Sequence, residues 1–169
     1  MPGGRVTHAE SEGVHVLRYF GRVNYVLAPA IKQFADDLVN QGDVRGWVFD
    51  LTHAELLDST NLGLLARLAV RSGATDPARS VIVSPSDDLN SVLRSMSFDQ
   101  LFDIVTVAPP DETMQEGGED IAGPAASRRE LGETMLDAHR ALMALSDSGR
   151  LEFEQVVAAL EAELSGDDT

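Results

Sequence analysis

The chain has 169 residues, 43% of them apolar and 24% charged, the composition of a globular protein with one main core. Its 28 acidic against 13 basic residues give a formal charge of -15. Such a surface repels a phosphate backbone, so direct binding of nucleic acid is not expected. With no cysteine, disulfides and thiol chemistry are excluded, and the 4 histidines, His8, His15, His53 and His139, show no metal-ligand spacing. No run reaches the roughly 20 apolar residues of a membrane span, and "MPGGRVTHAE" lacks the pattern of a signal peptide. The expectation is a cytoplasmic protein with no metal, no cofactor and no direct membrane insertion.

In chain order, "RVTHAE" and "GVHVLRYFGRVN" read as two neighbouring strands. "LAPAIKQFADDLVNQG" places Ile31, Phe34, Ala35, Leu38 and Val39 on one helical face and stops at Gly42. "GWVFDL", residues 46–51, is an apolar run too short for a helix and suits a strand buried on both faces. Residues 56–69, "LLDSTNLGLLARLA", set an acid, two hydroxyls and an amide before a leucine-rich helix. "SVIVS" at 80–84 is a further buried strand. "SDDLNSVLRSMSF" is a helix capped by Ser86 with Leu89, Val92, Leu93 and Met96 inward, and "IVTV" at 104–107 is a last strand. Alternating strands and helices predict an α/β fold with a mixed, mostly parallel sheet covered by helices.

The acidity is uneven: beyond residue 110 lie 15 of the 28 acids but only 4 of the 13 bases. Residues 109–127, rich in Pro, Gly and acid, read as a linker that separates a domain over 1–108 from an extension over 128–165. In that extension Leu131, Met135, Ala138, Leu142 and Leu145 alternate steps of four and three. Phe153, Val156 or Val157, Leu160 and Leu164 form a second stripe, so an antiparallel helical hairpin turning near Gly149 is expected. The stripes would dock on the first domain, pair with a second copy to make a homodimer, or hold a partner; self-burial is the simplest of the three.

Asp58, Ser59, Thr60 and Asn61 are all good helix-start residues. One cap uses one side-chain oxygen, and four small polar residues in succession leave a surplus hydroxyl. A hydroxyl at a helix N-terminus is a suitable phosphate acceptor, because backbone N–H groups and the helix dipole tolerate added negative charge. Phosphate beside Asp58 would change which surface could dock there.

"VFDLTHAELLDSTNLGLLARLA" resembles the signature segment of the STAS domain, the family of bacterial anti-sigma factor antagonists, in which a buried strand leads to Asp-Ser-Ser/Thr-Gly-Leu-Gly. Asp58, Ser59, Thr60, Leu62 and Gly63 match, while Asn61 stands where the family usually has Gly. "VLRSMSFDQLFDIVTV" is similar to the family's closing pattern, with Phe98 in place of a frequently small residue. The resemblance covers about residues 5–108. It implies the STAS fold, and it implies phosphorylation of Ser59, with Thr60 a secondary candidate, by an anti-sigma factor or serine kinase of the histidine-kinase-like ATPase type. A metal-dependent serine phosphatase would reverse the step. By the same resemblance Asp58, Ser59, Thr60, Asn61 and Leu62 would contact the partner, together with Arg22 and Asn24 on the face around residues 22–26, and the departure at Asn61 would bear on partner choice.

Two other readings compete with the switch. A hydrolytic triad would combine Ser59, His53 and either Asp50 or Asp58; the sequence lacks the G-x-S-x-G nucleophile elbow, and His53 reads as a loop residue past the strand, so no catalysis is expected. A non-switching STAS subunit of a stressosome-like scaffold or a transporter is the alternative. No Walker-type loop is present and no nucleotide site is expected.

Overall fold

The computed structural model describes residues 3–42, 44–72, 80–107 and 118–166. Its strands are β1 (Arg5–Ser11), β2 (Val14–Val23), β3 (Gly46–Leu57), β4 (Ser80–Ser84), β5 (Phe102–Thr106) and β6 (Glu119–Asp120). Its helices are α1 (Ala28–Gln41), α2 (Ser59–Arg71), α3 (Asp87–Ser95), α4 (Arg128–Leu145) and α5 (Asp147–Gly166). The strands form one sheet in the order β5-β4-β3-β2-β1-β6. Pairings from β2 through β5 are parallel, and β1 is antiparallel to both of its neighbours. The expected mixed, mostly parallel sheet is the one observed.

Strand β3 supplies the centre of the core. Trp47, Phe49 and Leu51 are fully buried beneath α1 and α2, and the Trp47 indole N–H donates to Ser72 Oγ at the end of α2 at 2.5 Å. Side chains of that size contribute roughly 1.5–3 kcal/mol each when fully removed from water. Burial on both faces does not hold: Val48 and Asp50 on the opposite side are only half-buried, as are Val81 and Val83 of β4. The strand also runs on to Leu57, so His53 lies within it and not in a loop. Its last residues, pairing with β2 across two register shifts, carry the chain to the motif beside the end of β2.

Helix α1 ends as expected at Gly42, whose φ of 79° places it in the left-handed region that glycine adopts freely. Asp36 on α1 receives both Arg67 and Arg71 of α2, Arg67 through two bonds of 2.7 and 3.2 Å, and so fixes the two helices side by side. Ser86 caps α3 through the Leu89 N–H. In α3 Leu93 is buried and Leu89 partly so, while Val92 is 45% exposed, which corrects its inward assignment: the short helix turns only a narrow arc to the core.

Of the expected linker, residues 109–117 lie outside the described residues. Within the remainder, β6 pairs with the free edge of β1, and the Ile121 N–H donates to Val6 O while its side chain is buried. Helix α4 opens with a capping box of Ser127 and Glu130. The hairpin turns at Ser146, earlier than Gly149. Ser146 is extended, and its hydroxyl accepts from the Gly149 N–H, so one residue ends α4 and starts α5. Gly149 lies in the first turn of α5 against the Leu142 carbonyl, where a side chain would collide. Of the second stripe, Phe153 and Val157 are buried and Val156 is 39% exposed.

Helix α4 packs along α2 and touches α1, so on the face where Trp47, Phe49 and Leu51 are buried the helices cover the sheet and the hairpin covers the helices. The hairpin seats on its own domain, the first of its three anticipated destinations.

Candidate functional site

The site is built where β3 hands the chain to α2. Asp58 is extended (φ -77°, ψ 173°), and its Oδ1 accepts from the Asn61 N–H at 3.0 Å, the expected N-cap. The same oxygen accepts from the Asn61 side-chain amide at 2.9 Å, and that amide also donates to Val23 O at 3.3 Å. Val23 O further receives the Asp58 N–H. One carbonyl at the end of β2 therefore holds both the cap and the third residue of the helix. Arg22 and Asn24 flank it and are exposed; Asn24 Oδ1 accepts from the Val26 N–H and shapes the β2-α1 loop. These contacts bring Arg22 and Asn24, distant in sequence, to the same end of the sheet as Asp58. A groove of about 490 Å³ opens there between Arg22, Val26, Ala30, Ala122 and Leu131.

Ser59 is the first residue of α2 and is half-buried. Its Oγ lies 2.9 Å from Nε2 of His139, a residue 80 positions later on α4. His139 Nδ1 lies 2.6 Å from Met135 O, which can only accept, so in the neutral ring Nδ1 carries the proton and Nε2 accepts the Ser59 hydroxyl. His139 is 3% exposed and its ring stands edge-on to Phe153. One turn along α2, Gly63 faces Ala138 so closely that an added Cβ would run into the Ala138 backbone.

Several expected contact residues are placed otherwise. Thr60, Asn61 and Leu62 are all buried, at 3%, 0% and 5% exposure. Asn61 in particular is an internal tie between α2, Asp58 and β2, and does not present its amide to an incoming molecule. The proposed triad is not assembled: Asp50 holds Thr52 at 2.6 Å and Arg18 at 3.3 Å, while Asp58 is spent on Asn61. His53 contacts Thr52 and Phe20. The histidine that does meet Ser59, His139, was not singled out from sequence. The one trace it leaves there is a polar residue beside the apolar seam at Met135, Ala138 and Leu142.

A family model described as the STAS domain matches residues 5–115. The chain belongs to the STAS domain family. The matched segment holds β1 through β5, with β6 and the hairpin lying beyond it. No curated protein matches the sequence significantly. Among solved structures, the anti-sigma factor antagonist SpoIIAA in its unphosphorylated form is similar at TM-score 0.52 and 17% identity, covering 61% of this chain and 89% of that one. The phosphorylated form of the Bacillus cell fate determinant SpoIIAA gives 0.51 and 18%, with coverage of 60% and 91%. An anti-sigma factor antagonist from Mycobacterium paratuberculosis gives 0.54 and 22%, with 62% and 87% covered. These likenesses establish the STAS fold. Among the described residues no helix is long and apolar enough to cross a membrane.

Proposed function

We propose that this STAS protein is a phosphorylation-controlled partner-switching regulator. Unphosphorylated, it binds an anti-sigma factor or a related kinase-type regulator; phosphorylated on Ser59, it releases that partner. The observation that carries this reading is the position of Ser59, first in α2 and directly after the Asp58 cap, where a phosphate would meet the N-terminal amides and the positive end of the helix dipole. Two residues that the family resemblance assigns to the interface, Arg22 and Asn24, flank the same cap on the exposed side, which supports a partner surface spanning the β2-α1 loop and the start of α2. A metal-dependent serine phosphatase would restore the hydroxyl.

The test is incubation with a histidine-kinase-like ATPase encoded nearby, with ATP and Mg²⁺. Intact mass should rise by one phosphate in the parent and stay constant in Ser59→Ala. In titrations against the same ATPase, parent and Ser59→Ala should bind and Ser59→Glu should not; equal affinity for all three rejects the switch. A second reading, a non-switching STAS subunit of a scaffold, draws support from the hydrogen bond that engages the Ser59 hydroxyl with His139. Parent protein that binds a partner and never takes up phosphate would favour it.

A further inference from the structure

A helix lying on a sheet ordinarily buries one stripe and leaves the other in water. Helix α2 does not: Thr60 through Ala66 are buried without interruption, because the sheet covers one side and α4 the other. The cover begins at Ser59 itself, through the 2.9 Å bond to His139, and continues where Gly63 admits the Ala138 backbone. It is tied down outside α2 by the Lys32–Asp137 ion pair, 2.6 Å between α1 and α4. Transfer of phosphate from ATP forms a bond from Ser59 Oγ to the γ-phosphorus, breaks the bond to ADP and sheds the hydroxyl proton. It needs in-line approach to an oxygen that α4 now engages.

We infer that the α4-α5 hairpin is a cis-acting occupant of the Ser59 face, so that the hairpin and an incoming regulator are alternative ligands of one surface. The regulator's identity rests on the function proposed above; the cover does not. Its energetic consequence is a lowered affinity and a slowed phosphorylation, by the fraction of molecules that are open.

The absence of cysteine provides a partner-free test. Ser59→Cys places a single thiol under the cover, and Ser91→Cys places one on the exposed side of α3 as reference. With a soluble maleimide, the thiol at 59 should react about tenfold or more slowly than that at 91, through opening of the hairpin. Adding Ala138→Asp should bring the two rates within about threefold, and the milder Asp137→Ala should accelerate position 59 several-fold, should Ala138→Asp prove poorly folded. A thiol at 59 that reacts as fast as the reference, or is indifferent to both α4 substitutions, overturns the cover.

The second arm uses Lys32→Cys with Asp137→Cys, joined by a short cleavable bismaleimide, in the kinase assay above. Bridged protein should take up phosphate about tenfold more slowly, and cleavage should restore the rate. Equal rates overturn the inference and leave the switch standing. No phosphate in either state rejects the switch, while the thiol measurements still decide the cover.

Discussion

The STAS core and the hairpin are held by different means. The core interlocks large side chains, Trp47 stacked on Phe49, Phe49 edge-on to Phe102 and Phe102 stacked on Phe98, all of them fully buried. Among the described residues the hairpin is attached by close approach of small residues, by the buried Leu142 and Phe153, by a hydroxyl-imidazole bond and by an ion pair with both partners part-exposed. Its apolar share is smaller than the sheet's: Ala138, Leu142 and Phe153 join the main core and Leu136 and Val157 are also buried, while Leu151 and Val156 are exposed. Regions with fewer buried apolar contacts open at lower free energy than the whole molecule. The difference makes the hairpin the first place to look for local opening and the sheet the last.

The strongest way to break the comparison is at the core. Phe49→Ala removes a fully buried ring and should cost about 3–5 kcal/mol, lowering the denaturant midpoint for sheet and hairpin together. A split transition would contradict a shared foundation. Gly63→Ala is more selective: its Cβ collides with the α4 backbone, an overpacking of about 1–3 kcal/mol. Amide exchange should quicken along α4 and α5 while β3 and β4 keep their protection; uniform loss would mean that the hairpin is integral to the core.

The smallest effect is a pH dependence on the far side of α1. His8 lies 2.9 Å from His15 and edge-on to Phe34. Burial first, then the neighbouring His15, lower its pKa below the ordinary 6.5, against the opposing pull of Glu10 and Glu119. The folded state then binds fewer protons than the unfolded state, so stability is full above pH 6.5 and declines as the pH falls below it. Thermal unfolding between pH 7 and 5 should show this slope and His8→Gln should flatten it, with α4 exchange relative to β3 unaffected.

Much of the core was legible because its signals are local. Val and Ile runs bounded by turn residues, the 3.6-residue stripe of α1, Gly42 and the Ser86 and Asp58 caps each act within a few positions. The later half of β3 was not, since "THAELL" mixes polar and apolar residues and is held by a bulged pairing with β2. Strand β6 is two acidic residues that carry no strand signal and pair because an edge of β1 lies open. At the site, periodicity and family motif located Ser59 and its cap, whereas the contacts of Ser59 and Gly63 with α4 involve a helix that sequence placed beyond a linker. His139 was invisible for the same reason: a hydrogen bond spanning 80 residues leaves no local pattern.

The contact between Gly63 and Ala138 also fixes the docking register. Sliding α4 by one helical turn, about 5.4 Å, would bring the bulkier Thr134 or Leu142 to the place of Ala138, whose small side chain lets the α4 backbone reach Gly63. The small pair, glycine on one helix and alanine on the other, thus distinguishes the observed seat of the hairpin from those one turn away.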